Sequence, residues 1–156
     1  MARRSLLANL PAAAVQEVDS RYLEGLIGYN ARRAALAVIE VFLPRMAVYD
    51  LRPVDFSVLS LVTHNPGITS RQLCGTLGIQ PPNLVGMVNA LERRELVVRR
   101  PHPTDGRALG LHLTPDGARL MREAERTAAQ LEAEVAAKLT AGESQMLIRL
   151  LRKVYL

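Results

Sequence analysis

The stretch from Ile68 to Thr114, ITSRQLCGTLGIQPPNLVGMVNALERRELVVRRPHPTDGRALGLHLT, decides the fold. Thr69 followed by Gln72 has capping-box spacing, in which the threonine oxygen takes a free amide of the first turn while the glutamine reaches back. A helix therefore starts there. Leu73 and Leu77 give it one apolar face, and Gly78 ends it, because glycine adopts a left-handed backbone without steric cost. Ile79 fills the corner. A second helix opens at Gln80, with Pro81 at its first position, where a missing amide leaves nothing unsatisfied. Leu84, Val88 and Leu91 recur at helical spacing and face the first helix, which leaves Gln80, Asn83, Gly86, Met87, Asn89, Ala90 and Arg93 on a polar or small outer face.

A helix divided in this way has the shape needed to enter a major groove of B-DNA. Downstream, Val97 to Arg100 and Ala108 to Leu113 read as strands, with Leu109, Leu111 and Leu113 alternating against Ala108, Gly110 and His112. Turn residues from Pro101 to Gly106 lie between them, and Arg107 follows at once. The pair is expected to form a hairpin wing. Together, LGIQPPNLVGMVNALERRELVVR from Leu77, the run Asp105 to Arg107, and LTPDG from Leu113 to Gly117 resemble the MarR family of winged helix-turn-helix transcriptional regulators. One departure stands out: the family usually carries glycine where this chain has Glu95, the residue that leaves the recognition helix in a left-handed conformation. Either the helix exits differently, or the chain tolerates a cost of ~1 kcal/mol relative to glycine.

Length and charge set the bounds. A chain of 156 residues suits one domain with a modest core. Twenty basic against fifteen acidic residues give a net charge of +5, which suits a polyanion without requiring one. Its placement says more, since Arg93, Arg94, Arg99, Arg100 and Arg107 stand near the recognition segment against Glu92, Glu95 and Asp105. No run of apolar residues is long enough for a membrane span. The start, MARRSLLANLPAAAV, imitates a signal peptide, but Asn9 and Pro11 break its apolar run. A single cysteine excludes an intramolecular disulfide and three scattered histidines form no ligand cluster, so a reducing cytoplasm is the expected compartment.

Taken in order, residues 1–18 read as an arm broken by Pro11, either packed across a partner subunit or frayed. Asp19 or Ser20 caps the next helix, whose apolar positions from Leu23 to Val41 form a surface wider than one stripe. That surplus predicts a partner chain. Pro44 is expected to kink or end this helix. Pro53 restarts a supporting helix with Val54, Val58, Leu61 and Val62 on one face, stopped by Asn65, Pro66 and Gly67. After the wing, Thr114 caps a long helix through about Leu139, with apolar or alanine positions 118, 121, 124, 128, 131 and 135 in the spacing of paired helices. Thr140 with Glu143 forms a second capping box, and Met146, Leu147, Leu150, Leu151 and Val154 line a terminal amphipathic helix. The expected fold is mainly α with a small β-hairpin wing. It is one domain over 1–156: the arm, dimerisation helices at 19–50 and 115–156, and a DNA-binding lobe at 53–114. The resemblance implies that the first and last helices of two chains interlock, placing two recognition helices about one DNA turn apart, ~34 Å, over an inverted repeat.

Gln80, Asn83, Met87 and Asn89 are the expected base-edge contacts, since an amide can bond bidentately to adenine and a methionine can touch a thymine methyl, and Pro82 beside them is expected at the DNA. Thr69, Ser70 and Arg71 open the preceding helix, where amides and a cation hold a phosphate. Arg93, Arg94, Arg99 and Arg100 are expected at phosphates or paired with Asp105. The resemblance implies that Arg107 enters the minor groove, where negative potential is focused, and that Asp105 orients basic side chains nearby. It also implies an effector pocket for a phenolic acid, a carboxylate or an acyl-CoA thioester, drawing on Tyr22, Leu26, Tyr29, Asn30 and Arg33 of the first helix and on Phe56 and Leu59 of the second. Each of these also reads as ordinary interface packing. Cys74 reads as core packing, or as a peroxide sensor.

No phosphate-cradling glycine loop, metal-ligand spacing or nucleophile with a base emerges, so no enzyme activity, metal or cofactor is expected. The expected function is a homodimeric, sequence-specific transcriptional regulator binding double-stranded DNA, a repressor released by a small organic effector. Two other readings remain: a helical dimeric adaptor that binds protein without DNA, and a thiol redox switch acting through Cys74.

Overall fold

The computed structural model describes residues 17–101 and 108–156. The arm expected over the first residues lies, through residue 16, outside this range. The chain divides into two units, one through Ala35 and the other Leu36–Leu156, with the division inside a helix.

In the first unit, Ser20 precedes a short helix α1, Arg21–Glu24, and Asp19 pairs with Arg21 at 2.8 Å. Helix α2 follows, Ile27–Met46, and spans the division. Its first turns are largely exposed, with Ile27 70% and Leu36 44% accessible. Pro44 neither ends nor breaks α2, which continues to Met46. The proline sits two residues from the end on an exposed side, and Glu40, whose carbonyl loses its helical donor, is exposed and free to be hydrated.

The second unit holds the core. After a 3-10 turn at Ala47–Tyr49 come α3, Pro53–His64; β1, Ile68–Thr69; α4, Ser70–Leu77; α5, Pro81–Arg93; β2, Val97–Pro101; β3, Leu109–Leu113; α6, Pro115–Val135; and α7, Ala141–Tyr155. Met46, Val58, Leu59, Val62, Leu73, Leu84, Val88, Leu91, Leu111 and Met121 are fully buried together. The i, i+4, i+7 spacing of Leu84, Val88 and Leu91 is thus the inner stripe of α5. On α6, Met121, Ala124 and Leu131 close against this chain's own core, with Ala128 and Val135 beside them. The paired-helix spacing of α6 therefore serves an intrachain seam, tied to the turn after α2 by the Tyr49 hydroxyl on Thr127 Oγ1 at 2.9 Å.

Hairpin strands β2 and β3 pair antiparallel from Val97 opposite Leu113 to Pro101 opposite Leu109. Burial fades along β3, from Leu111 at 1% to Leu109 at 52% accessible, because the hairpin runs beyond the core. The sheet also has a third strand that periodicity did not announce: β1 pairs with β3, Ile68 opposite Leu111. Two residues are too few for a period-2 pattern to register.

The backbone at the end of α5 answers the question raised by Glu95. Its φ is +57°, so the chain takes the left-handed exit with a glutamate where glycine is free to go. Leu96 N–H then donates to the Leu91 carbonyl at 3.0 Å, and Thr114 Oγ1 donates to the Glu95 carbonyl, which holds the exit in place. Gly117 is required for a different reason. A Cβ there would lie 2.0 Å from the Leu96 carbonyl oxygen, so only glycine lets the first turn of α6 rest on the start of β2.

Candidate nucleic-acid interface

The capping box expected at α4 is present. Thr69 Oγ1 accepts from the Gln72 amide at 3.3 Å, and the Thr69 amide donates to Gln72 Oε1 at 2.9 Å. Gly78 ends the helix at φ +64°, and α5 opens with Gln80 as its N-cap and Pro81 behind it. This brings exposed Ser70 and Arg71, at the N-terminus of α4, beside α5 and the root of the wing. Thr69, Ser70, Arg71, Val85, Asn89, Arg99 and Leu109 line one open groove there. Free amides of a helix start, a cation and a concave wall make a place for a DNA phosphate.

Along α5, Gln80, Pro82, Asn83, Gly86 and Arg93 are exposed, and Met87, Asn89 and Ala90 are half-buried. The outer face is therefore open to a ligand of groove dimensions. Its two flanks differ in charge. Asn89 and Val85 adjoin Arg71 and Arg99, whereas Asn83, Gly86, Met87 and Ala90 share a second groove with Asp50, Asp55, Arg52 and Arg94, whose charges balance. Val85, 51% accessible, belongs to the outer face although sequence reasoning passed over it. A valine in an apolar-periodic segment looks like core; its angular position, 100° from Leu84, was the available signal.

The arginines have different fates. Arg93 is exposed at the last turn of α5, and Arg100 is exposed on β2. Arg94 turns inward, with Nη1 donating to the Asp50 carbonyl at 2.7 Å and Nη2 to the Tyr49 carbonyl at 2.8 Å. Arg99 pairs with Glu92 at 2.7 Å and donates to Asn89 Oδ1 at 2.8 Å. Asp105 and Arg107, with His102, lie outside the described residues.

The residues expected to hold an effector are distributed over both units. In the first, Tyr22, Leu26 and Arg33 are exposed, Tyr29 is half-buried, and Asn30 donates its amide to the carbonyls of Glu24 and Leu26 at 2.7 and 2.8 Å. In the second, Leu59 is fully buried and Phe56 meets Phe42 edge to face, centroids 5.8 Å apart. Cys74 is half-buried against the core beside fully buried Leu73. Among the described residues, no group of three or more His, Cys, Asp or Glu is placed to hold a metal ion, and no helix is long and apolar enough to cross a membrane.

Comparison with known proteins agrees with this geometry. The family profile described as MarR family matches residues 49–108, from the end of the turn after α2 to the residue before β3. Among solved structures, the transcriptional repressor CouR bound to a 23-mer DNA duplex is 37% identical, with a TM-score of 0.82 over 88% of this chain and 98% of that one. CouR bound to p-coumaroyl-CoA is 35% identical, with a TM-score of 0.79 over 88% of this chain and 97% of that one. A putative transcriptional regulatory protein for the hcr operon of Thauera aromatica is 28% identical over 134 residues, 85% of this chain and 81% of that protein. With its helix-turn-helix, its hairpin wing and an outer recognition face left open, the chain belongs to the MarR family and is a DNA-binding transcriptional regulator.

Proposed function

We propose that the protein is a homodimeric repressor that binds an inverted-repeat operator and leaves it when a small organic effector is bound. The observation that carries this reading is the likeness, over nearly the whole of its chain, to a repressor solved both on a DNA duplex and with an aromatic acyl-CoA thioester. The effector class is accordingly an aromatic acid, a phenolic acid or its coenzyme A thioester.

The dimer reading has physical support in α7, which buries none of its residues within the chain although Met146, Ile148, Leu150, Val154 and Tyr155 are 44–72% accessible. An apolar face of this extent is stable in water when a second copy covers it. Arg152 and Lys153 near the C-terminal end keep the exposed stripe amphipathic. The arm over residues 1–18, the dimerisation segments 19–50 and 115–156, and the reading lobe 53–114 are the proposed division of labour. Effector contacts are assigned to Tyr22, Leu26, Tyr29, Asn30 and Arg33 in the first unit and to Phe56 and Leu59 in the second. Release is a population shift: an effector that prefers a spacing of recognition helices unable to straddle both half-sites lowers operator affinity by its differential affinity for that state.

The test is a thermal-shift screen of aromatic acids and their coenzyme A thioesters, followed by fluorescence anisotropy on a duplex selected by the protein. A compound that both stabilises the protein and releases the duplex is the expected result. Stabilisation without release overturns the effector mechanism, and a monomer at micromolar concentration by sedimentation overturns the dimer.

A further inference from the structure

The guanidinium of Arg99 is gripped by the recognition helix itself. Nη1 lies 2.7 Å from Glu92 Oε2, and Nη2 donates to Asn89 Oδ1 at 2.8 Å. Both charged side chains are only about a third exposed, at 31% and 28%. Arg99 stands on β2 opposite Leu111, which is buried, so its backbone is fixed in the sheet. Arginine offers donors alone, and the atom of the Asn89 carboxamide that meets it is therefore the oxygen. The amide is held one way round, with Oδ1 toward the wing root and Nδ2 turned from it. A helical carboxamide with no such partner rotates freely and presents either end.

We propose that Arg99 is a positioning residue for base readout: anchored by Glu92, it orients Asn89 so that Nδ2 leads into the major groove. Asn89 then reads a hydrogen-bond acceptor. Guanine offers N7 and O6 on that edge, thymine O4 and adenine N7, whereas cytosine offers only its N4 amino donor. One position in each half-site accordingly rejects cytosine. Arg99 itself, occupied by a carboxylate and an amide, contributes no phosphate contact, in contrast to the role its position in the sequence suggests. The count of one position per half-site rests on the dimer proposed above; the orientation of Asn89 does not.

The experiment is selection from randomised duplexes, with affinities and their salt dependence measured for the full chain and for Arg99→Lys, Asn89→Ala, Asn89→Asp and the Arg99→Lys/Asn89→Ala pair. Lysine keeps the charge but lacks the fork that holds two partners at once. The unaltered protein is expected to exclude cytosine at one position, and Arg99→Lys and Asn89→Ala each to relax that exclusion roughly tenfold. Arg99→Lys is expected to leave the salt slope as it was and to add nothing in the Asn89→Ala background. Asn89→Asp keeps an acceptor for Arg99 but replaces the leading donor, so the preference is expected to turn toward cytosine. A uniform loss of affinity for every base at that position in Arg99→Lys, or additive effects in the pair, would identify a direct DNA contact by Arg99 and overturn the proposal. Continued rejection of cytosine by Asn89→Asp overturns it as well. Failure of the unaltered protein to enrich any sequence overturns the operator reading together with this inference, whereas the preceding outcomes overturn this inference alone.

Discussion

The carbonyl oxygen of Tyr49 accepts a hydrogen bond from Nη2 of Arg94 at 2.8 Å, while the same guanidinium holds the neighbouring Asp50 carbonyl at 2.7 Å. Arg94 is the C-cap of the recognition helix, and Tyr49 closes the turn after α2. One side chain therefore ties the end of the DNA-reading helix to the exit of the helix that precedes the lobe. Asp50, left-handed at φ +49°, adds its carboxylate at 3.8 Å.

Replacing Arg94 by alanine removes two charge-assisted hydrogen bonds and leaves two carbonyls without their donor. With Arg94 31% exposed, water recovers part of the loss, and a destabilisation of about 1–2 kcal/mol is expected. Urea unfolding measures it. Stability equal to that of the parent would mean that the clamp contributes nothing.

Glu95 is the residue whose backbone departs most from its own preference. Glu95→Gly is expected to stabilise the fold by about 0.5–1 kcal/mol, less than the whole left-handed penalty because glycine also loosens the unfolded chain. For a chain of this length that is a rise in Tm of roughly 1–4 °C. Scanning calorimetry reads it, and a fall in Tm would show that the glutamate side chain holds the exit.

Gly86 lies on the outer face of α5, and a Cβ placed there meets nothing within 4 Å. Packing does not require glycine at that position. Gly86→Ala is expected to stabilise the helix by up to ~1 kcal/mol and to weaken operator binding, since the added methyl keeps the backbone from the base edges. Melting and anisotropy on the same preparation separate the two effects. Stabilisation with unchanged binding would remove Gly86 from the contact surface.

Acid should loosen the start of α7. The Glu143 carboxyl is held below its ordinary value first by the Thr140 backbone N–H, then by the Thr140 hydroxyl. A carboxyl depressed by folding stabilises where it is ionised: the contribution is complete above about pH 4.3, the ordinary glutamate value, and is lost as pH falls through the lower folded value. Amide exchange in the first turn of α7 is expected to accelerate over that window, and Glu143→Gln, which keeps the reciprocal bonds without the titration, to abolish the pH dependence.

Arg107 carries the expectation drawn from the family resemblance. Arg107→Ala is expected to weaken operator binding and to reduce the slope of log affinity against log salt by about one unit. An unchanged slope would take Arg107 off the DNA.

The local grammar of this fold was legible in the sequence because its causes are local. The Thr69–Gln72 and Thr140–Glu143 boxes, the stop at Gly78, Pro81 in the first turn of α5 and the stripe of Leu84, Val88 and Leu91 each depend on residues within about two turns of one another. The resemblance to a DNA-binding family rested on that same grammar. What tertiary structure alone decided is the use to which each side chain is put. Arg94 and Arg99 look alike beside an expected phosphate surface, yet one is spent on carbonyls 44 and 45 residues away and the other on Asn89 and Glu92. Leu59, which the family resemblance implied for an effector pocket and which also read as packing, is fully buried in the core; the spacing of α6 closes on its own chain; and Gly117 is dictated by the Leu96 carbonyl. A guanidinium binds phosphate, carboxylate and carbonyl by the same hydrogen bonds, and a leucine packs against whatever apolar surface is presented to it. Which partner arrives is set by contacts distant along the chain, and those exist only once it has folded.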